Sequence, residues 1–244
     1  MWYNSLMDRD LVKILGYDVD RFSFKEAVDY ASATPGQIVT INPEMMETAA
    51  KIPEFAKVIS SSELVVPDGV GVEIGLKILG HKVSRIPGVE LGKALIIKFS
   101  NENKTVAMVG AKPEIVSAAA DNLKNEIPGL NIVYARDGYF QDDEAVLAEI
   151  AAAKPDLVLA ALGSPKQEMF LYALKQKLPN AVLIGLGGSF DVWAGAVKRA
   201  PMIYQKLGLE WLYRTIKEPQ RFKRIFPTLP LFVLKVFKER LLRK

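Results

Sequence analysis

Side chains able to move a proton or hold an anion recur in this chain at one kind of position, directly after a short apolar run. In "VVPDGVG", 65 to 71, Asp68 stands between Pro67 and Gly69. An aspartate there reads either as the cap of a helix starting near Val70 or as a general base that takes a proton from a sugar hydroxyl. Thr40 and Asn42, in "VTINPE", close another apolar run and can orient the same substrate by hydrogen bonds. "GSPKQE", 163 to 168, aims Lys166 and Gln167 at the same edge, with Ser164 as a candidate helix cap. "GLGGSFD", 185 to 191, brings Gly185, Gly187 and Gly188, whose backbone N–H groups can approach a phosphate or nucleotide, although a tight structural turn explains them equally. The third glycine of a G-x-G-x-x-G fingerprint is missing there, and no P-loop occurs. Near the C-terminus, "GLEWLYRTIKEPQRFKR" spaces Arg214, Arg221 and Arg224 by seven and three residues around Pro219. Lipid headgroups, nucleic acid and a substrate phosphate are all anions that suit such a cluster.

Other chemistries drop out by composition. The 244 residues include no cysteine and a single histidine, His81, which removes thiolate catalysis, Ser-His pairs and multi-histidine metal sites. Two Asp-x-Asp triplets, at 8 to 10 and 18 to 20, have the form of a metal-diphosphate site but precede the main strand pattern. We assign them no metal, and no cofactor is expected.

The elements that position these residues alternate. Apolar β-rich runs at 37–41, 64–66, 105–110, 131–135, 156–162 and 181–186 are separated by helical patterns. Several lack polar alternation, as in a parallel sheet covered on both faces, so the expected fold is α/β: a doubly wound, mainly parallel, Rossmann-like sheet with a helical C-terminal appendage. "VKILGYDV" suggests an extra edge strand, Ser23 with Glu26 forms a capping-box pattern, and Pro113 and Pro165 suit first helical turns. Ligands of such sheets collect beyond the C-terminal strand ends, where Asn42, Asp68 and the 163–168 and 185–191 segments fall.

Charge divides the chain. Residues 198–244 hold 13 Lys and Arg against three acids, leaving 19 against 25 in residues 1–197. We therefore expect an α/β body over 1–195 and a basic helical tail over 196–244. The closing "LFVLKVFKERLLRK" is too short to span a bilayer but suits burial at a membrane interface, where each basic residue adds about 1 kcal/mol of attraction to anionic lipid. With no secretory leader pattern and no long apolar run, the expected location is cytoplasmic, peripheral on the inner face of the cell membrane. Exposed tail helices could also pair into a homo-oligomer when no membrane is present. Nucleic acid is not an expected partner, because no recognition signature accompanies the basic residues.

In order along the chain, "NPE" (42–44), "PDGVGV" (67–72), "RIPGVEL" (85–91), "RDGYF" (136–140), "ALGSPKQE" (161–168), "GLGGSFDVWAGAVKRAP" (185–201) and "GLEWLYRTIKEPQR" (208–221) resemble the WecG/TagA/CpsF family of bacterial glycosyltransferases. The likeness runs from about Val12 to Arg224 and is greatest to members that build wall teichoic acid. The resemblance implies metal-independent, inverting transfer of N-acetylmannosamine from its UDP-sugar to the 4-hydroxyl of N-acetylglucosamine on undecaprenyl diphosphate. It makes Asp68 the base, places Thr40, Asn42, Arg85 and Gln167 around the sugar and diphosphate, and gives the nucleotide to Gly187, Gly188 and Asp191. Arg214, Arg221 and Arg224 then have the diphosphate of nucleotide or lipid carrier as their anion. Relatives that move N-acetylmannosaminuronic acid or hexoses leave the donor open. The α/β pattern and glycine loops alone are also those of a nucleotide-dependent oxidoreductase, and the tail alone is that of a membrane- or nucleic-acid-binding module.

Overall fold

The computed structural model describes residues 9–206, 210–217 and 222–243, with side-chain detail except at 205–206, 211, 214, 217 and 222–227. The chain opens with a hairpin, β1 (Leu11–Ile14) and β2 (Tyr17–Asp20), followed by α1 (Phe24–Ala33), β3 (Gly36–Ile41), α2 (Pro43–Ala49), α3 (Pro53–Ser60), β4 (Leu64–Pro67), α4 (Val70–Ile78) and α5 (Gly88–Asn101). The second half runs β5 (Thr105–Gly110), α6 (Pro113–Glu126), β6 (Asn131–Arg136), α7 (Asp143–Ala153), β7 (Leu157–Ala161), α8 (Lys166–Lys177), β8 (Val182–Gly185) and α9 (Ser189–Trp193). Three C-terminal helices complete it: α10 (Met202–Lys206), α11 (Glu210–Lys217) and α12 (Phe222–Leu242).

Strands β3 to β8 are the six expected runs, and they form one parallel sheet in the order β4-β3-β8-β7-β5-β6. Side-chain alternation explains why the inner runs are apolar throughout. On β7, Leu157 and Leu159 pack with α5, α6 and α9, whereas Val158 and Ala160 pack with α7 and α8 on the opposite face. Strand β6 has a neighbour on one side only, and its residues are exposed or half-buried in alternation.

The hairpin differs from the expected edge strand. It pairs only with itself, and it closes the β4 edge by a side chain instead of a ladder. Asp20 is fully buried, forms a two-point ion pair with Arg9 at 2.7 Å, and accepts the Val65 N–H at 2.8 Å. This is the work of the second Asp-x-Asp triplet: an otherwise orphaned edge amide is satisfied by a carboxylate that Arg9 makes tolerable in the interior. Asp10, of the first triplet, pairs with Arg21.

The capping box is present, with Ser23 Oγ accepting from Glu26 N and Glu26 Oε2 accepting from Ser23 N. Pro113 opens α6 as expected, but Pro165 is the N-cap of α8 and not its first helical residue.

The last helix is built into the molecule. Phe232 and Val236 are fully buried in a cluster with Ile14, Met46 and Leu76, bringing α12 against β1, α2 and α4. Gly75 makes the seam possible: a Cβ there would stand 2.8 Å from Ile14 Cδ1 and 3.0 Å from Phe232 Cζ. Lys235 Nζ bonds both Glu47 oxygens at 2.6 and 2.8 Å, and Glu239 Oε2 accepts the Leu15 N–H of the hairpin turn at 2.9 Å. The opposite face of α12 exposes Leu231, Leu234, Phe237, Leu241 and Leu242. Among the described residues, no helix is long and apolar enough to cross a membrane.

Candidate active site

All six strands of the main sheet send their C-terminal ends or following loops to one cleft of about 880 Å³. That is within the range of small-molecule sites, roughly 300–1,000 Å³, and large enough for a nucleotide sugar. Thr40 and Asn42 come from the end of β3, Asp68 from β4, Lys112 from β5, Tyr139 from β6, Ser164 and Gln167 from β7 and the start of α8, and Gly187, Gly188 and Asp191 from β8 and α9. Arg85 joins them from the loop before α5, which is tied down where Ile86 N donates to Pro67 O at 2.7 Å. The cleft thus collects eight of the expected site residues. Of the other three, Arg221 lies outside the described residues, and Arg214 and Arg224 lie on α11 and α12 where their side chains are outside the description.

Local structure decides between the readings that each motif allows. Gly69, with φ +84°, holds the N-cap position of α4 and brings no side chain to it, so Asp68 stands in the cleft one residue before the cap position. Its own N–H donates to Ile41 O at 2.8 Å, fixing the carboxylate-bearing residue to the neighbouring strand end. Asn42 does cap: its Oδ1 accepts from Met45 N at 3.0 Å, which leaves its NH₂ as the donor for a ligand. Ser164 lines the cleft but is not the α8 cap. Lys166 corrects its expected direction, turning away from the cleft to Asp143 at 3.6 Å and to the Phe140 ring at 4.7 Å.

Gln167 is almost fully buried and holds two loops together. Its Oε1 accepts the Gly187 N–H at 3.1 Å, and its Nε2 donates to Glu168 Oε1 at 2.7 Å. The Gly187 amide expected to meet a phosphate is therefore already engaged by Gln167. Glu168 is buried too, and desolvation pushes its carboxyl above the ordinary carboxylate range, opposed by hydrogen bonds from Gln167 and Ser164.

Several lining residues escaped the sequence reading. Lys112 and the exposed Tyr139 lie directly after β5 and β6, a position that could have flagged them. Glu210, Thr228 and Leu229 arrive from α11 and α12, and no local pattern announces a contact with strand ends so distant in sequence. The described charged lining is Glu44, Asp68, Asp191 and Glu210 against Arg85 and Lys112, an acid excess in a site of diphosphate size. Arg199 connects α5 to Glu210 of the lining. Its NH2 donates to Glu90 on α5 at 2.7 Å, and its Nε lies 3.6 Å from Glu210 on α11.

The chain matches the Glycosyl transferase WecG/TagA/CpsF family over residues 12–244, a span that includes α12 as well as the sheet. It is 40% identical over 202 residues to the N-acetylglucosaminyldiphosphoundecaprenol N-acetyl-beta-D-mannosaminyltransferase of Bacillus spizizenii, covering 82% of this chain and 78% of that protein. A protein with the same description from Bacillus subtilis is 40% identical over 203 residues, covering 83% and 79%. A parallel sheet that gathers motif residues at its C-terminal edge, matched along nearly its whole length, places this chain in the WecG/TagA/CpsF family of glycosyltransferases.

Proposed function

We propose that the protein transfers N-acetylmannosamine from UDP-N-acetylmannosamine to the 4-hydroxyl of N-acetylglucosaminyl-diphospho-undecaprenol, with inversion, to give a β1,4 linkage in cell-wall polymer synthesis. The observation that carries this reading is the meeting of Asp68, Thr40, Asn42, Arg85 and Gln167 with the Gly187–Asp191 turn in one cleft, in a chain related to enzymes described by that reaction. Asp68 takes the proton from the acceptor hydroxyl as its oxygen bonds the anomeric carbon, and UDP departs with the electron pair of the broken bond. A single displacement needs one base, and one carboxylate on the cleft wall is sufficient. Tyr139 offers an aromatic face to the base of the nucleotide.

The leaving diphosphate needs positive charge beyond Arg85 and Lys112, because four carboxylates share the lining. Arg214, Arg221 and Arg224 supply it, each able to bond phosphate oxygens in bidentate fashion, so the reading requires no metal. In this scheme residues 1–195 bind the donor, and residues 196–244 complete the site and dock on the cytoplasmic membrane surface. The exposed apolar face of α12 supports docking: it is bordered by Lys238, and the relatives act on a lipid-linked acceptor. A uronate donor is disfavoured by the same acid excess.

The test is incubation with UDP-N-acetylmannosamine, its uronate and UDP-hexoses in the presence of lipid-linked N-acetylglucosamine, followed by mass and linkage analysis. The expected product is the β1,4 N-acetylmannosaminyl disaccharide on the lipid. Transfer from another donor only would replace the donor assignment, and reduction of a nicotinamide cofactor without sugar transfer would overturn the reaction class.

A further inference from the structure

Behind the cleft wall, one acid of the "GSPKQE" motif has no part in the transfer chemistry. Glu168 is 3% exposed and forms no ion pair among the described residues. It faces Gln167, and the pair is bracketed by two tightly packed neighbours. On one side a Cβ at Gly185 would stand 2.6 Å from Gln167 Nε2, so the absence of a side chain there admits the amide over the end of β8. On the other, the fully buried Gln37 of β3 donates from Nε2 to the Glu168 carbonyl at 3.0 Å.

The hydrogen bonds leave the Gln167 amide one orientation. Gly187 N–H is a donor and nothing else, so the atom 3.1 Å from it must be the amide oxygen. Nε2 is then directed at Glu168 Oε1, 2.7 Å away, and requires an acceptor there. Reversing the amide would set two donors against each other at Gly187 and two acceptors against each other at Glu168. In a buried site water is not at hand to satisfy such unmet groups, so the reversed amide is strongly disfavoured. Glu168 is thus the far end of a chain, Glu168 to Gln167 to Gly187, that joins the α8 start to the β8–α9 turn across the cleft floor.

We propose that Glu168 is a positioning residue for the nucleotide half of the site: it fixes the Gln167 amide, and through it the Gly187–Gly188 turn, in the shape that receives the UDP donor. The proposal deepens the function given above and rests on it. The acid acts without touching substrate. Among the described residues the Glu168 carboxyl takes hydrogen bonds from Gln167 and Ser164, both of the same motif.

Two substitutions test this in the full-length protein. Glu168→Gln keeps the acceptor oxygen and the volume; Glu168→Leu keeps the volume and removes the acceptor. The expected result is that Glu168→Leu raises the donor KM, and the Kd for UDP measured by calorimetry, about tenfold, with the acceptor KM unchanged, while Glu168→Gln stays within about twofold of wild type. A merely structural role would lower the fraction of active enzyme and leave both KM values and the UDP Kd alone. Wild-type donor KM and UDP affinity in Glu168→Leu would overturn the proposal, as would a Glu168→Gln variant as defective as the leucine. Should wild-type protein bind UDP but transfer no N-acetylmannosamine, the reaction assignment fails and the UDP affinities still decide the role of Glu168. Wild-type protein that binds no UDP overturns both.

Discussion

Asp68 and Glu168 are two acids whose surroundings set different tasks. Asp68 follows a strand at an open cleft, where a carboxylate can meet a substrate hydroxyl, while Asn42 caps the neighbouring α2 and Gly69 holds the cap position of α4. Replacing it with asparagine keeps the shape and removes the base. Asp68→Asn is expected to lower kcat roughly 10²- to 10⁴-fold with circular dichroism and thermal midpoint unchanged, and near-normal transfer would remove Asp68 as the base. Glu168 instead sits where burial favours its neutral form. A carboxyl raised on folding stabilises the native state fully only below its unfolded value, near 4.5, and that contribution is lost as pH rises through the folded value. Glu168→Gln does not ionise, so its thermal midpoint should draw ahead of wild type as pH rises from about 4.5 toward neutrality. A midpoint difference that is flat with pH would show that Glu168 does not titrate in this way. Both residues were visible in their motifs, and the sequence offered cap and base as alternatives for Asp68. The structure puts Gly69 and not Asp68 at the cap position, which the letters leave open because capping depends on dihedral angles.

At the scale of elements, the seams between distant helices decide whether the cleft is complete. The α4–α12 seam depends on a hydrogen atom at Gly75, and a larger group there must displace Ile14 or Phe232. Gly75→Leu is therefore expected to destabilise the fold by about 1–3 kcal/mol, the usual cost of overpacking, and to reduce transfer by unseating Thr228 and Leu229 from the cleft wall. Chemical denaturation read beside activity checks both effects; an unaltered midpoint would mean that the seam is looser than it looks. Arg199 ties α11 to α5 through Glu210 and Glu90. Arg199→Ala should lower kcat/KM about fivefold, the equivalent of an ion pair worth up to ~1 kcal/mol, and unchanged kinetics would separate α11 from the site. Helix starts such as the Ser23–Glu26 box were legible because capping is local in sequence. The Arg199 cluster was not, since Glu90 and Arg199 are over a hundred residues apart and meet only when α5 and the tail pack.

For the whole molecule, the division of charge and the two-faced last helix belong together. One face of α12 holds Phe232 and Val236 in the core, so removing the tail would uncover α2 and α4 along with any docking surface. Substitutions on the other face avoid that. Leu234 is 66% and Phe237 50% exposed, and the double change Leu234→Glu with Phe237→Glu is expected to weaken binding to anionic vesicles at least tenfold, with a thermal midpoint near wild type. Vesicle affinity that persists in this variant would dismiss α12 as the docking element. Binding by the wild-type tail should also weaken as salt rises, because screening shortens the reach of its basic residues. The sequence by itself determined the six strands, their parallel arrangement and the edge at which ligands gather, since apolar runs, turn residues and the crossover rule are properties of neighbouring letters. Tertiary structure alone decided that the hairpin closes β4 with a buried aspartate, that Lys166 turns away while Glu168 turns in, and that α12 reaches the cleft. Each of these is a contact between segments remote in sequence, settled by packing and by the need to satisfy buried polar groups.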